Sequence, residues 1–371
     1  MVNLGAIYNN ILIDRTKWDY YDDMLIPIAD YKELLNMSDV LVENILKSGD
    51  KLNDAEGQEF DMLGYGFRLK HTISIYFLGL AIYNNVSCIK IAIDNYIHKV
   101  DVELQPYHKR ILGPEFRTFD TPFSYFWFLT CFYHDYGYRF EEGNKLVGLE
   151  RILLLLDGRI NTNILRGRYR TLIPKAISDN LHKYFKMRYE KDQVIDHGIA
   201  AGLLFWENRM TDFQKRSKRN QNKEVFIEKD RLWSKEILYK IHLPVAWTIS
   251  AHNVWFITEN NERVDEYSHF GLQGLITDRP KIILNNHPLL YLLSVVDTID
   301  PVKLLNRNAV QDFNYGDLEL IEFDFNSNSI RFKIDEQLNV IDCRFKDGIL
   351  SMPKWIECRA EFCESIFTLY L

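Results

Sequence analysis

The chain has few cysteines, and they form no pattern that would build a structural framework. There are five in 371 residues, an odd number, and none are spaced as Cys-x-x-Cys. A disulfide-bonded scaffold and a thiolate zinc site are therefore both disfavoured. Because unpaired, reduced thiols are typical of the cytoplasm, we expect a cytoplasmic protein.

The sequence also lacks a long apolar run and an excess of positive charge. Its densest apolar stretch, residues 123–133, falls short of the roughly 18 to 20 residues that a membrane span needs. Residues 1–15 contain no basic segment followed by an apolar one. Lys and Arg total 45 against 52 Asp and Glu, which gives a formal net charge of -7. We therefore expect no membrane partner and no bulk binding of nucleic acid.

What the chain does contain is enough apolar residues, 47% of the total, to bury a sizeable core. Most of them recur at three- and four-residue steps, which predicts a mainly α-helical protein. We expect an N-terminal helical layer at residues 1–53 and a main helical domain at 54–302. An insertion is expected within that domain at about 86–120, and a small α+β tail at 303–371.

The tail is distinguished by a change of apolar period from helical to two. Residues 321–325 and 330–334 each alternate between apolar and polar side chains, and the polar stretch 326–329 separates them. This pattern predicts a β-hairpin. A third strand around 338–345 and a short helix near 357–366 would complete the tail.

Capping and helix-breaking residues predict the other boundaries. Asp196 predicts the start of a helix, and Pro288 predicts the start of another at its first position. Continuous helices are predicted over 175–189 and over 230–241. The segment that contains Pro106 is predicted to be a loop.

An imidazole and a carboxylate stand side by side at His134-Asp135, directly after the long apolar run. His71 precedes this pair, and further His and Asp residues follow it in apolar helical segments, so that the order is H, HD, H, H, D. The later members are His197, His252 and Asp297. Since a divalent ion needs roughly four to six ligands that converge from different directions, separate helices suit it better than one.

Each of these residues also has a structural interpretation. A single buried histidine is more often a satisfied core residue than a ligand. His242 and His287 are rivals to His252, because they also lie close to predicted helix starts. Asp297 falls in an apolar helix, where a carboxylate requires either a metal or a basic partner. Surface or loop positions are expected for His98, His108, His182 and His269.

The most basic part of the chain follows the predicted helix that begins near Asp196. Two interpretations are open: a solvated helix end, or a rim that attracts phosphate to a site. The run consists of Lys215, Arg216, Lys218, Arg219 and Lys223.

The ordered set resembles the H, HD, D signature of the HD-domain metal-dependent phosphohydrolase superfamily. The matching positions are His71 within Arg68-Leu69-Lys70-His71-Thr72, then His134-Asp135 with Gly137, and Asp297. His197 and His252 match the extra histidines of members that bind a second ion. The resemblance spans residues 54–302, implies an HD-domain-like helical bundle, and suggests that the 86–120 insertion caps or lines the pocket.

The resemblance also implies a set of roles. His71, His134, Asp135 and Asp297 would hold one ion, and Asp135 would bridge to a second ion held by His197 and His252. The expected cofactor is thus a pair of divalent ions among Mn, Fe, Zn, Ni and Mg. Tyr138 stands where many members carry lysine, so Arg68, Lys70 or Arg139 is expected to bind the phosphate.

The function implied is hydrolysis of a phosphate ester, a monoester or a diester, by a metal-activated hydroxide. The expected substrate is a small phosphorylated molecule such as a nucleotide. Two alternatives remain open. One is a diiron oxygenase on the same fold, such as myo-inositol oxygenase, and the other is a non-catalytic regulatory module that binds a nucleotide.

Overall fold

The computed structural model describes residues 67–114, 123–138, 152–154, 172–228, 231–307, 320–335 and 343–371. The predicted N-terminal layer, residues 1–53, lies outside these ranges. The described part is mainly helical and ends in a small antiparallel β-sheet, which confirms the predicted class. It forms two compact units: unit 1 comprises Met1–Ala92 with Thr277–Leu371, and unit 2 comprises Ile93–Ile276. The domain boundaries proposed after residues 53 and 302 stay predictions.

The longer described helices are, in chain order, α1 Phe67–Asn85, α2 Ser87–Leu112, α3 Phe123–His134, α4 Lys175–Ser178, α5 Leu181–Met187, α6 His197–Arg219, α7 Leu243–Ala251, α8 Val264–His269, α9 Pro288–Ile299, α10 Pro301–Arg307 and α11 Cys343–Ser351. The strands are β1 Val225–Glu228, β2 Arg231–Ser234, β3 Ile321–Asn326, β4 Ser329–Ile334, β5 Arg359–Cys363 and β6 Ile366–Tyr370. Two π-helical turns, Arg188–Asp192 and Leu238–His242, adjoin α5 and α7.

In unit 1, helix α1 packs against α9 and α10 and also contacts β3. Helix α9 begins at Pro288 as predicted, because proline needs no backbone N–H at the first helical position. Ile75 and Leu78 of α1 are fully buried. Helix α11 packs on α9 and on β5, so that helices and sheet share one apolar core.

The sheet of unit 1 has the strand order β3-β4-β6-β5, and every neighbouring pair is antiparallel. The predicted hairpin of β3 and β4 is confirmed, with Phe323 opposite Phe332 and Asn326 opposite Ser329. Phe332 also lies opposite Phe367 of β6, and their ring centroids are 4.9 Å apart. These three fully buried rings build the apolar face of the sheet.

Two predictions for the tail are wrong. The segment near 357–366 is not a helix, because β5 and β6 fill it and pair with each other and, through β6, with β4. The predicted third strand fails from Cys343 onward, where α11 begins, and its earlier part lies outside the described residues. Short strands such as these are stabilised by cross-strand neighbours that sequence periodicity does not reveal.

Unit 2 is built around α3, α6 and α7. Every residue of α3 is buried, and α6 packs against α7 while both contact α3. Helix α6 begins as predicted: the Asp196 side chain accepts a hydrogen bond from the backbone N–H of Ile199 at 3.0 Å. The ends of α3 and α7 and the start of α6 thereby supply three of the four histidines of the predicted site, namely His134, His252 and His197.

The predicted helix over 230–241 is wrong in its first half. Strands β1 and β2 form a hairpin there, and helical structure begins only at Lys235. The pairing of Phe226 with Trp233, whose rings stack at 6.4 Å, holds the hairpin, and Arg216 covers the indole. The helix predicted over 175–189 is also interrupted, since α4 ends at Ser178 and α5 begins at Leu181.

The loop predicted around Pro106 is wrong as well, because α2 continues through that residue. Pro106 itself is exposed, whereas Leu104 and His108, one helical turn apart, are buried. The apolar contacts of that face outweigh the local preference of proline. His108 is consequently not the surface residue that the sequence suggested.

Among the described helices, none is by itself long and apolar enough to cross a membrane. One bent pair, Ser74–Asn85 with Ser87–Ile111, meets the same criteria of length and composition.

Candidate metal centre

Each of the two units brings some of the predicted ligands close to one another. In unit 2 the end of α3, the start of α6 and the end of α7 bring His134, Asp135, His197 and His252 together. In unit 1, His71 lies beside Asp297 and also beside Asp300, a residue that the sequence pattern did not single out.

His134 is the last residue of α3, and Asp135 begins the turn that follows. The His134 side chain is fully buried, and its Nδ1 atom lies 2.7 Å from the carbonyl oxygen of Cys131. A carbonyl only accepts hydrogen bonds, so Nδ1 carries a proton, and in the neutral imidazole Nε2 then carries the lone pair. That Nε2 lies 3.2 Å from Oδ1 of Asp135.

His252 follows the last residue of α7 and repeats this arrangement. Its Nδ1 atom lies 2.6 Å from the carbonyl oxygen of Ile249, three residues earlier. Its ring centroid lies 5.3 Å from that of His134. In each case a helix end supplies the carbonyl that fixes the tautomer, and Nε2 is left as the donor atom for a metal.

His134, Asp135 and His252 form a group that could hold a metal ion, because their ligand atoms all lie within 4.8 Å of one another. Two imidazoles and a carboxylate suit Zn, Fe, Mn or Ni. The burial of His134 and Asp135 removes competing solvent from two of the three ligands. The residues therefore fit a divalent ion in chemistry and tautomer, and they supply three of its ligands.

His197 is the first residue of α6, and its Nε2 atom lies 3.6 Å from Oδ1 of Asp135. Its ring centroid lies 5.3 Å from that of His252. The ring of Tyr138 stacks on that of His197, with ring centroids 3.7 Å apart and planes 14° apart. Tyr138 thus fixes the plane of an imidazole at the candidate site.

Two glycines, Gly137 and Gly198, allow the end of α3, the start of α6 and the end of α7 to approach closely. A Cβ atom on Gly137 would lie 2.0 Å from the carbonyl oxygen of His197, and one on Gly198 would lie 2.9 Å from Cε1 of His252. Contacts under about 3 Å require a shift of backbone or ring. Glycine after His134-Asp135 and after His197 is therefore a packing requirement of the site.

Behind His197 lies a buried polar network. Nδ2 of Asn253 donates to Oδ2 of Asp196 at 2.8 Å and lies 3.4 Å from Nδ1 of His197. The indole N–H of Trp255 donates to Oδ1 of Asn253 at 3.0 Å. Burial raises the pKa of Asp196, while the hydrogen bond from the amide of Ile199 and the charge of Arg188 oppose that rise.

In unit 1, His71 is fully buried between two carboxylates. Its Nε2 lies 3.1 Å from Oδ1 of Asp297 and its Nδ1 lies 2.6 Å from Oδ2 of Asp300. Burial and the charge of Lys303 both lower the pKa of His71, but the carboxylates of Asp300 and Asp297 outweigh them and raise it to about 9. Ser74 donates a second hydrogen bond to Asp300.

Asp297 has the basic partner that its position required. Nζ of Lys303 lies 2.5 Å from its Oδ1, and the Asp297 side chain remains 23% exposed. The expectation of a metal or a basic partner at Asp297 is therefore met within unit 1 by Lys303 and His71.

Asp300 and Asn253 are two residues of these networks that the sequence pattern did not predict. Asp300 stands directly before Pro301 at the start of α10, which is a helix-capping signal, and Asn253 directly follows His252. Neither signal reveals which histidine the side chain contacts. Arg139 and the side chains of Arg68 and Lys70, expected to bind phosphate, lie outside the described residues.

The structure also places the two rivals of His252 and the basic run. The Nε2 atom of His242 lies 2.8 Å from the hydroxyl of Tyr125, and burial together with the charge of Arg209 lowers its pKa to about 3. His287 is the residue before α9. The basic run occupies the mostly exposed end of α6, where Arg216 pairs with Asp212.

No family model, no curated protein and no solved structure matches this chain. The class that the fold and the site define is a mainly helical protein with a His/Asp group that could hold a metal ion.

Proposed function

We propose that this protein is a metal-dependent phosphohydrolase with an HD-domain-like helical core. The observation that carries the proposal is the group of His134, Asp135 and His252, whose ligand atoms all lie within 4.8 Å of one another. A structural cluster of buried histidines has no need for this convergence of electron-pair donors.

The protein's own residues would perform three tasks. His134 and His252 bind the ion through Nε2, because their Nδ1 atoms are held by the carbonyls of Cys131 and Ile249. Asp135 supplies the anionic ligand and offsets the ion's charge. When bound, a divalent ion supplies Lewis-acid chemistry, in that it polarises a phosphoryl oxygen and makes water more acidic.

The proposed substrate is a small phosphate ester, a nucleotide in the first instance. Phosphate oxygens are hard anionic ligands for a divalent ion, and the basic residues named from the sequence, Arg68, Lys70 and Arg139, are the proposed partners for the remaining charge. In unit 1, His71 pairs with Asp300 and Asp297 pairs with Lys303. The sequence pattern keeps His71 and Asp297 as candidate ligands.

The test begins with protein stripped of metal by a chelator and reloaded separately with Mn, Fe, Zn, Ni or Mg. Release of phosphate or nucleoside is then measured over a panel of phosphate monoesters, phosphodiesters and nucleotides. We expect activity only in reloaded protein. Asp135→Asn should lower it by at least about 100-fold, because a ligand is lost.

Asp265→Asn is the matched control, since Asp265 is exposed on α8, and its activity should equal that of the wild type. Activity that persists in Asp135→Ala would refute the proposal. Iron content with substrate-dependent oxygen consumption would indicate the oxygenase instead, and tight nucleotide retention without turnover would indicate the regulatory module.

A further inference from the structure

The four histidines of the predicted ligand set do not share one hydrogen-bonding arrangement. Nδ1 faces an obligate acceptor in three of them: the carbonyl of Cys131 for His134, the carbonyl of Ile249 for His252, and the carboxylate of Asp300 for His71. Nδ1 of His197 instead faces the Asn253 side chain.

The orientation of the Asn253 amide follows from its other neighbours. The indole N–H of Trp255 only donates, so the Asn253 atom 3.0 Å from it must be the carbonyl oxygen Oδ1. The other end of the amide is therefore Nδ2, whose first N–H is taken by Oδ2 of Asp196 at 2.8 Å. Rotating the amide would place two donors together at Trp255.

The second N–H of Asn253 is then available to His197. Nδ2 lies 3.4 Å from Nδ1 of His197, and a donor at that position requires Nδ1 to be the acceptor. In a neutral imidazole whose Nδ1 accepts, the proton resides on Nε2. A protonated Nε2 has no lone pair for a metal.

We propose that His197 is not a metal ligand but a positioning residue, a neutral imidazole whose Nε2–H is directed at the carboxylate of Asp135. Nε2 lies 3.6 Å from Oδ1 of Asp135, so its N–H would interact with that ligand oxygen. The stacked ring of Tyr138 fixes the plane of the imidazole. This inference rests on the proposed function, and it departs from the ligand role that the sequence pattern gave to His197.

The direct test is the tautomer of each histidine, read from nitrogen-15 and proton correlation spectra of protein labelled at histidine. In metal-free protein we expect His134 and His252 to carry the proton on Nδ1 and His197 to carry it on Nε2. After Zn²⁺ is added, the Nε2 resonances of His134 and His252 should shift, and the Nε2–H signal of His197 should persist. A His197 with its proton on Nδ1, or loss of its Nε2–H signal with Zn²⁺, would overturn the inference.

Glutamine substitutions give a second readout, since an amide N–H can replace Nε2–H but is a poor metal ligand. His197→Gln should keep the Zn²⁺ dissociation constant within about 3-fold, and His197→Ala should weaken binding by about 10-fold, as loss of an orienting partner does. His134→Gln is the matched comparison and should lose at least about 100-fold as a ligand. Equal losses in His197→Gln and His134→Gln would show that His197 is a ligand.

The proposed function and the Nε2–H tautomer of His197 can fail independently. If wild-type protein binds no divalent ion, the proposed function fails, while the tautomer of His197 in metal-free protein still decides the present inference. Asn253→Ala adds a control, because removal of the amide donor should shift His197 away from the Nε2–H tautomer. An unchanged His197 tautomer in that variant would contradict the role given to Asn253.

Discussion

Nδ1 of His71 lies 2.6 Å from Oδ2 of Asp300, and both side chains are completely buried. The same carboxylate accepts hydrogen bonds from the backbone amides of Val302 at 3.3 Å and Lys303 at 3.2 Å, at the start of α10. Asp300 therefore performs two tasks, since it orients an imidazole and caps a helix.

Substitution of Asp300 separates those two tasks. Asn is as good a helix cap as Asp, so Asp300→Asn keeps one oxygen that can cap the helix but loses the charge-assisted hydrogen bond to His71, at a cost of about 2 kcal/mol. Asp300→Ala also loses the cap and should cost about 1 kcal/mol more. Urea denaturation at pH 7 measures both, and Asp278→Asn, at an exposed position of the same unit, should change stability by less than about 0.5 kcal/mol. Wild-type stability in Asp300→Asn would contradict the role of the charge.

His242 should make the protein less stable in acid. Its pKa is lowered from 6.5 to about 3 in the folded protein, first by burial and then by Arg209. Between those values the unfolded chain binds a proton that the folded chain does not, so stability is fully present above pH 6.5 and falls as the pH drops toward 3. At pH 5 the loss from this residue amounts to about 2 kcal/mol.

The measurement for His242 is the change in unfolding free energy between pH 7 and pH 5. His242→Gln should reduce that change by about 2 kcal/mol, whatever its effect at pH 7. His98→Gln removes an exposed histidine of α2 and serves as the control, with the wild-type change expected. If His242→Gln and the wild type respond equally to acid, the buried neutral histidine is not the cause.

Pro106 lowers the stability of helix α2. The residue is exposed within the helix, where proline lacks the backbone N–H of the helical hydrogen bond. Pro106→Ala should therefore raise the unfolding free energy by about 1 to 2 kcal/mol, less than the full propensity difference because proline also restricts the unfolded chain. Gln105→Ala, at the adjacent exposed position, should stay within about 0.5 kcal/mol of wild type in the same urea titration. A loss of stability in Pro106→Ala would show that proline is required there.

The parts of the fold that the sequence predicted are those set by local chemistry. Asp196 caps α6 and Pro288 begins α9, because capping and proline geometry depend on a few neighbouring residues. The β3-β4 hairpin followed from strict alternation. By contrast, β5 and β6 depend on pairing with residues far along the chain, and Pro106 is overridden by the buried contacts of Leu104 and His108.

The candidate site also combines features that the sequence predicted with features that depend on tertiary structure. The order of histidines and aspartates suggested which residues would lie near one another, and unit 2 does bring His134, Asp135, His197 and His252 together. The hydrogen-bond partner of each imidazole was not predictable, since it depends on where a helix ends or on which side chain folds back. Asn253 beside His197 and Asp300 beside His71 are both consequences of tertiary structure.

Alanine at Gly137 and Gly198 should separate damage to the fold from damage to the site. A Cβ atom on Gly137 meets the backbone carbonyl of His197 at 2.0 Å, which can be relieved only by moving the start of α6. We expect Gly137→Ala to lower the unfolding free energy by about 3 kcal/mol. A Cβ atom on Gly198 meets instead the ring of His252, at 2.9 Å, and a ring can rotate.

Gly198→Ala should consequently cost only about 1 kcal/mol of stability, yet weaken Zn²⁺ binding by about 10-fold, because it turns Nε2 of His252 away from Asp135. Gly348→Ala is the matched control: a Cβ atom there has no neighbour within 4 Å inside α11, so stability should rise by about 0.5 to 1 kcal/mol with Zn²⁺ binding unchanged. Urea denaturation and calorimetric Zn²⁺ titration of the three variants provide the comparison. Wild-type Zn²⁺ affinity in a folded Gly198→Ala protein would argue against His252 as a ligand.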